Sequence, residues 1–576
     1  MPPGTSTNRG RLELTWTNKD KALLPHEDGT YEWLPPKDHR VAEVRLLRDA
    51  GTVGDVRPDE QRAKDNLLIR GDALYGLASL AALPEFNDEY VGKVALAYLD
   101  PPFNTQQSFA HYDDALEHSV WLTMMRDRLE QVERLLAPTG SAWVHCDDYE
   151  QHRLRAVMDE VFGPENFVAT IVWQKLYARK SNTPVSSSHD FIHVYASDLR
   201  RFRRNLQPPT PAQLARYKNP DADPRGPWQS VSFSVRTDDP GRRGEYRYPI
   251  ALPSGRTVRP PAGRHWNGKR DRYERLLAEG RLWFGRDGDS LPRLKDFLRP
   301  EEVGLVPITW WPRTEVGDND ESKSEIQALF PEIGDPFQTP KPERLLQRIV
   351  HVASNPGDIV LDCFLGSGTT AAVAHKMARR WVGVEWSRST LDDYAAPRLA
   401  KVVAGEDPGG VTEAVGWRGG GGFRVVDVAP SLYATEDSAV YLAEWATNGA
   451  LSEAVAAQLG FAYEPDPPFS GRRGRVRLAV LDGHATEAIA RDLAGQLAPG
   501  ERLGLWATSL DPAVPALLAK LRSGSAARAI PEDVLLAYAT PQAWRAAVAR
   551  PAPDDEAPPE AADAGDAPLA AEAAGA

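Results

Sequence analysis

Apolar residues recur along this chain in two alternating rhythms. From Asn66, the stretch NLLIRGDALYGLASLAALP reads as a short apolar strand, a Gly-Asp turn and a helix. KVALAYLD follows, apolar almost throughout, which predicts a buried strand ending at Asp100. VWLTMMRDRLEQVERLLAP, from Val120 to Pro138, has helical spacing and stops at Pro-Thr-Gly. SAWVHCDD predicts a further strand and YEQHRLRAVMDEVFG a further helix. The rhythm breaks near Arg200 and resumes with PERLLQRIVHVAS (helix), DIVLDCF (strand), TTAAVAHKMARR (helix) and WVGVEW (strand). Strands alternating with helices predict a parallel α/β sheet.

The interruptions divide the chain. Residues 1–65 form a polar, mixed N-terminal extension, and 66–200 the first half of the α/β core. In residues 201–304 Pro, Gly, Arg and aromatics interleave (DPRGPWQS, RTVRPPAGRHWNGKRDRY), as an inserted module would. Residues 305–405 hold the second half of the core. A glycine run, RGGGG at 418–422, lies within 406–550, a smaller Ala/Leu-rich segment expected to be an accessory domain. Residues 551–576 are Ala/Pro/Asp/Glu-rich, an acidic tail expected to be disordered.

Composition narrows the class. Two cysteines in 576 residues, Cys146 and Cys363, exclude a disulfide framework and a Cys-based metal site, and fit a reducing cytoplasm. No apolar run approaches the ~20 residues of a membrane span, and MPPGTSTNRG lacks an apolar signal core. A soluble, cytoplasmic protein is expected, with no membrane partner. The net charge of −13 argues against nucleic acid until its distribution is examined. Residues 201–300 hold 22 Lys/Arg against 11 Asp/Glu, whereas 551–576 holds seven acids and no base. A basic block inside an acidic chain suits a segment facing nucleic acid. Trp228, Trp266, Arg264 and Arg270 in that block suit phosphate contact with base-edge or stacking readout. No histidine spacing such as HExxH occurs, so no metal is expected at the site; there is no GxxxxGK[ST], so ATP-driven work would belong to another chain.

Two short motifs carry chemistry. In DIVLDCFLGSGTTAAVAHKMARRWVGVEW a strand ends at Asp362, a loop follows with Gly366 and Gly368, a helix starts at Thr369, and the next strand ends in Glu385. That order is what binding of a nucleotide sugar requires. The glycine loop falls short of the longer cradle a pyrophosphate needs, which favours S-adenosylmethionine over NAD. The tetrapeptide Asp-Pro-Pro-Phe occurs twice, at Asp100–Phe103 and Asp466–Phe469. The first copy follows a good buried strand. The second follows Glu464 and Pro465, and proline is poor in a central strand, so it reads as a loop.

LDPPFNT together with LDCFLGSGTT resembles the DNA amino-methyltransferases, and the motif order matches their beta class. TPKPERLLQRIV resembles the segment that closes the cofactor pocket in that class, and NLLIRGDAL, VFGPENFVATIVWQK and SHDFIHVYA resemble the Mod (methylating) subunits of type III restriction-modification systems, the resemblance covering about residues 10–405. The resemblance implies a Rossmann-like, seven-stranded, mostly parallel methyltransferase sheet with an inserted target-recognition module and a C-terminal accessory domain. It implies transfer of a methyl group from S-adenosyl-L-methionine to N6 of a flipped adenine in double-stranded DNA. Asp100, Pro101, Pro102 and Phe103 would be catalytic. Asp72 would lie near the cofactor's adenine; Asp362, Phe364, Gly366, Gly368 and Thr369 along its methionine end and loop; Glu385 at the ribose; Lys341 at the pocket edge. The family also suggests a homodimer and a restriction (helicase-nuclease) or other phage-defence partner. An N4-cytosine enzyme, a non-catalytic DNA-binding subunit that retains the cofactor pocket and an NAD-dependent oxidoreductase stand as alternatives.

Overall fold

In the computed structural model of the chain the described residues are 13–25, 31–105, 107–108, 113–114, 117–178, 183–236, 244–299, 304–333, 337–436 and 439–530. The acidic tail expected at 551–576 lies outside them. The chain forms two units: Met1–Arg203 with Thr309–Ala576, and Arg204–Ile308.

A ten-stranded sheet organises the larger unit. In chain order its strands are β1 (Leu47–Gly54), β2 (Asn66–Arg70), β3 (Val94–Leu99), β4 (Leu136–Cys146), β5 (Phe167–Gln174), β6 (His189–Ala196), β7 (Trp310–Trp311), β8 (Ile359–Asp362), β9 (Arg380–Glu385) and β10 (Gly422–Val428). Across the sheet they run β7-β5-β6-β4-β3-β8-β9-β2-β10-β1. From β4 to β10 every pair is parallel. β6 runs antiparallel to β4 and β5, and β1 antiparallel to β10.

Side chains leave the central strands alternately to the two faces, so one apolar run builds two cores. Leu67, Ile69, Ala97 and Leu99 meet helices α1 (Ala73–Ala82), α2 (His118–Leu135) and α3 (Gln151–Phe162) on one face. Leu68, Leu96, Tyr98 and Val360 meet α4 (Glu343–Ala353), α5 (Thr369–Lys376) and α6 (Ala396–Ala404) on the other. α2 stops at Leu135 rather than running to Pro138. Proline at 138 disfavours helical backbone at Ala137, and β4 begins at Leu136.

The sheet exceeds the expected seven strands and draws two of them from the flanking segments. β1 comes from the segment read as an N-terminal extension, and β10 from the segment read as an accessory domain. Without them β2 would be a bare edge with unsatisfied backbone groups. The helix Asn448–Leu459 also buries Leu451, Ala454 and Val455 in the same core as α1 and α2. Structurally the chain therefore does not part at 405. A second sheet follows, ordered β11 (Ala462–Asp466), β12 (Phe469–Arg473), β13 (Val476–Ala485), β14 (Arg502–Leu510) and β15 (Ala526–Ala529). Phe469, Leu503 and Leu505 belong to its separate core.

The smaller unit has a three-stranded sheet of Trp228–Ser232, Arg293–Phe297 and Leu282–Trp283, packed around Phe233, Trp266 and Tyr273. Trp228 and Trp266 are buried in it, which corrects the expectation that they are free to stack on bases. Arg264 is turned inward to Ser234, at 2.9 Å, while Arg270 is exposed.

Arg424 ties β10 to the N-terminal segment. Its guanidinium, 3% exposed, reaches Asp65 (2.8 Å), Asp59 (2.9 Å) and Asp49 (3.1 Å). Arg424→Leu leaves the buried Asp65 with Arg57 alone, a half-exposed cation at 3.0 Å, and the expected loss is about 2 kcal/mol of unfolding free energy. A urea denaturation midpoint unchanged from wild type would refute this role.

Candidate functional site

β3, β8, β9 and β2 are neighbours and parallel, so their C-terminal ends share one edge of the sheet, where ligands bind in such folds. Asp100 follows β3, Asp362 closes β8, Glu385 closes β9, and Asp72 lies two residues beyond β2. A cavity of about 1160 Å³ opens at this edge. It is lined by Asp72, Asp100, Pro101, Pro102, Phe103, Lys341, Asp362, Phe364, Gly366, Thr369 and Glu385. Of the catalytic and cofactor-binding residues that the resemblance implies, Gly368 alone does not line it. Gly368 caps α5 in a left-handed conformation (φ 82°) and packs against Ala395, where a Cβ would come within 3.3 Å of the neighbouring Cα. Gly366, at φ 53°, passes close to the Phe337 ring. Both positions require backbone freedom that other residues rarely have.

Four of the carboxylates lining the cavity come from these strand ends, and each is accommodated differently. Asp72 caps α1 by accepting from Leu74 N (2.7 Å), and both its oxygens pair with Arg128 Nη2, at 2.8 and 3.0 Å. Glu385 accepts from Gly366 N and Ser387 N, each at 2.8 Å. Burial raises its carboxyl above the ordinary value against the pull of those amides. Asp362 is pushed up to about 7 by burial, with the Asp100 and Glu385 charges adding to the rise and the Thr370 and Phe364 donors opposing it. Asp100 pairs through Oδ2 with Lys341 Nζ. Its Oδ1 is buried with no hydrogen-bond partner among the described residues. A buried acceptor without a partner is costly, and Asp100 is among the residues that line the ligand-sized cavity.

The Asp-Pro-Pro-Phe turn is braced from outside. Trp121 Nε1 donates to the Pro102 carbonyl (2.6 Å). Lys341 Nζ lies 5.2 Å from the Phe103 ring centroid, and the His145 ring stacks on Phe103 with centroids 5.5 Å apart. The glycine loop is braced from below: Arg398 donates to Thr369 Oγ1 (2.8 Å) and to Glu343 (2.9 Å), and Glu343 also accepts from Lys376 (2.8 Å). These contacts pin α4, α5 and α6 together beneath the loop.

Sequence reasoning missed Arg128, Tyr98, His145, Lys175 and Asp190, all at or behind the cavity wall. Their short motifs carry no metal or nucleophile spacing, and Arg128 lies 56 residues from the Asp72 it neutralises. Lys341 was expected at the pocket edge; the structure places it on Asp100. The second tetrapeptide lies elsewhere. Pro467 and Pro468 turn the chain between β11 and β12, Asp466 and Phe469 are paired across that turn, and Asp466 points to Arg477 at 2.7 Å. β11 is an edge strand, where Pro465 costs no ladder bond.

Fold and site thus define an α/β protein whose glycine loop and buried, unpartnered carboxylate oxygen belong to residues lining one cavity. The chain belongs to the DNA methylase (N6_N4_Mtase) family, whose sequence profile matches residues 94–396. It is 29% identical over 443 residues to the probable type III restriction-modification enzyme HindVI Mod subunit of Haemophilus influenzae, covering 67% of this chain and 58% of that protein. It is 31% identical over 396 residues to the StyLTI Mod subunit of Salmonella typhimurium, covering 60% of this chain and 58% of the relative. It is 26% identical over 457 residues to the EcoP15I Mod subunit of Escherichia coli, covering 66% and 65%. The chain therefore spans less than two thirds of the length of each of these relatives. Among the described residues no helix is long and apolar enough to cross a membrane.

The Asp362 shift predicts a pH dependence. Between about pH 4 and 7 the unfolded chain ionises this group while the folded chain keeps its proton, so stability falls as pH rises through that window. Asp362→Asn removes the titration, and the decline in Tm across those values should become shallower. An unchanged decline would show that Asp362 ionises normally in the fold.

Proposed function

We propose that the chain is a DNA methyltransferase that uses S-adenosyl-L-methionine to methylate N6 of adenine in double-stranded DNA, as the methylating part of a restriction-modification or related phage-defence system. The observation that carries this reading is the buried, unpartnered Asp100 Oδ1, held beside the glycine loop in one cavity. Family membership and the likeness to Mod subunits support it. Homodimer formation and partnership with a helicase-nuclease subunit follow from the same likeness and are proposed with it. The basic unit Arg204–Ile308 is proposed as the target-recognition module.

The residues present suit this cofactor. Glu385 accepts from backbone amides through both oxygens and lines the cavity, where a carboxylate can also accept from a ribose hydroxyl. The left-handed Gly366 lets the backbone approach the ligand closely. Phe337, Phe364 and Trp386 supply apolar wall, and a cavity of about 1160 Å³ has room for a base as well. When bound, S-adenosyl-L-methionine supplies an electrophilic methyl group on a sulfonium centre.

The protein's part concerns the amine. An exocyclic amine conjugated with its ring is a poor nucleophile. Asp100 Oδ1 and the Pro101 carbonyl each accept one of its hydrogens, which favours a tetrahedral nitrogen with its lone pair free. Lys341 holds the other Asp100 oxygen, so a single acceptor is presented. The two prolines restrict the turn, and the Trp121 bond to Pro102 holds it in place. Phe103 stacks on the base, which must leave the duplex to reach it. Positioning of the reacting groups supplies much of the rate, with no covalent enzyme intermediate.

The test is transfer of labelled methyl from S-adenosyl-L-methionine to unmethylated DNA, followed by nucleoside analysis. N6-methyladenine is expected; N4-methylcytosine would overturn the base assignment, and no product would overturn the activity. Asp100→Ala should lower transfer at least about 10²-fold while cofactor affinity changes little. Asp466→Ala should retain the wild-type rate; an inactive Asp466→Ala enzyme would move the site to the second tetrapeptide.

A further inference from the structure

Behind Phe103 lies a side chain for which the proposed chemistry has no direct use. The His145 ring, fully buried on β4, stacks on the Phe103 ring with planes 27° apart and centroids 5.5 Å apart. Trp173 meets the imidazole edge-on, at 5.4 Å and 87°. Both imidazole nitrogens are engaged, Nδ1 with the Tyr98 hydroxyl at 2.9 Å and Nε2 with Asp190 Oδ2 at 3.3 Å. Lys175 Nζ lies 2.5 Å from the other Asp190 oxygen.

The chemistry of these groups sets the direction of each bond. A carboxylate can only accept, so Nε2 carries the hydrogen and donates to Asp190. Nδ1 then has a lone pair and accepts from the Tyr98 hydroxyl. Burial lowers the His145 pKa, and burial raises that of the Tyr98 hydroxyl well above its ordinary value. At neutral pH the imidazole is therefore uncharged and Tyr98 keeps its proton. Rotation of the ring would break two buried hydrogen bonds and collide with Trp173. Phe103, by contrast, sits on a turn beyond the end of β3 and has no polar atom to anchor its ring.

We infer that His145 is a positioning residue for methyl transfer: its imidazole, locked by Tyr98 and Asp190, is the backstop that fixes the plane of the Phe103 ring and hence of the base stacked on it. This rests on the proposed function. Lys175 and Asp190 also line the cavity, so the lock extends from behind the base platform to the cavity wall. A ring that tilts displaces the amine from Asp100, and small misplacements of reacting groups are expensive in rate.

Two substitutions separate the ring from its hydrogen bonds. His145→Gln keeps a donor and an acceptor for Asp190 and Tyr98 but removes the stacking ring. His145→Phe keeps the ring and abandons both polar partners. In the full chain, single-turnover methyl transfer, cofactor affinity by calorimetry and Tm are measured for wild type and both variants. At the adenine mapped in the product, 2-aminopurine fluorescence reports how the extruded base is held. Rate should follow the ring: His145→Gln should lose about tenfold or more in kcat with near wild-type Tm and cofactor affinity and altered 2-aminopurine fluorescence. Tm should follow the hydrogen bonds: His145→Phe should melt lower yet transfer methyl within about threefold of wild type. A His145→Gln enzyme with wild-type kcat, or loss of rate in proportion to loss of Tm in both variants, overturns the positioning role. An inactive wild type overturns the proposed function instead.

Discussion

Backbone hydrogen bonds between β3 and β8 run parallel and set Leu361 beside Ala97. That pairing joins two halves of the chain that lie far apart in sequence. It makes the residues just past both strands neighbours at one edge, and so the acidic end of one motif meets the glycine loop of the other. The flanking pairs β8–β9 and β9–β2 extend the edge to Glu385 and Asp72. Parallel strands need crossover connections, and here the crossovers supply the helices whose apolar faces cover the sheet on both sides. The site is thus a consequence of strand order. No local segment contains it.

Gathering four carboxylates at one edge has an electrostatic cost, and the fold meets it four ways. Arg128 neutralises Asp72, Lys341 faces Asp100, backbone amides hold Glu385, and Asp362 keeps its proton to near neutrality. These solutions differ because the groups differ in depth. Asp362 sits at the sheet's centre, where no cation reaches it among the contacts described, and desolvation then dominates. Asp100 is nearer the open cavity and is held by a lysine from the segment just before α4. Of its two oxygens one is fixed by Lys341 and one is buried without a partner.

The repeated Asp-Pro-Pro-Phe shows how little four residues decide alone. At Asp100 the tetrapeptide follows a strand buried on both faces, and its aspartate is directed into the cavity. At Asp466 the same letters turn an edge hairpin, the aspartate pairs with Arg477 near solvent, and Phe469 fills a small core. Proline rigidity serves both places equally well, as a fixed pair of carbonyls in one and as a tight turn in the other. The difference lies in what precedes each copy, because Glu464 and Pro465 suit an edge and the apolar KVALAYL suits a centre.

The sequence by itself determined the elements and their class. Period-two and helical apolar spacing marked the central strands and helices, since burial on one or two faces leaves a local imprint on composition. It also determined which motifs end strands, and therefore the candidates Asp100, Asp362 and Glu385. Tertiary structure alone decided the rest. β1 and β10 complete the sheet from segments that looked peripheral, because a strand's need for partners depends on which edge it covers. Trp228 and Trp266 turned inward, because an aromatic residue in a basic segment has the same letters whether it faces core or solvent. Arg128, Tyr98, His145 and Asp190 entered the site through hydrogen bonds and ring contacts across the sheet, and such long-range partners leave no spacing to read along the chain.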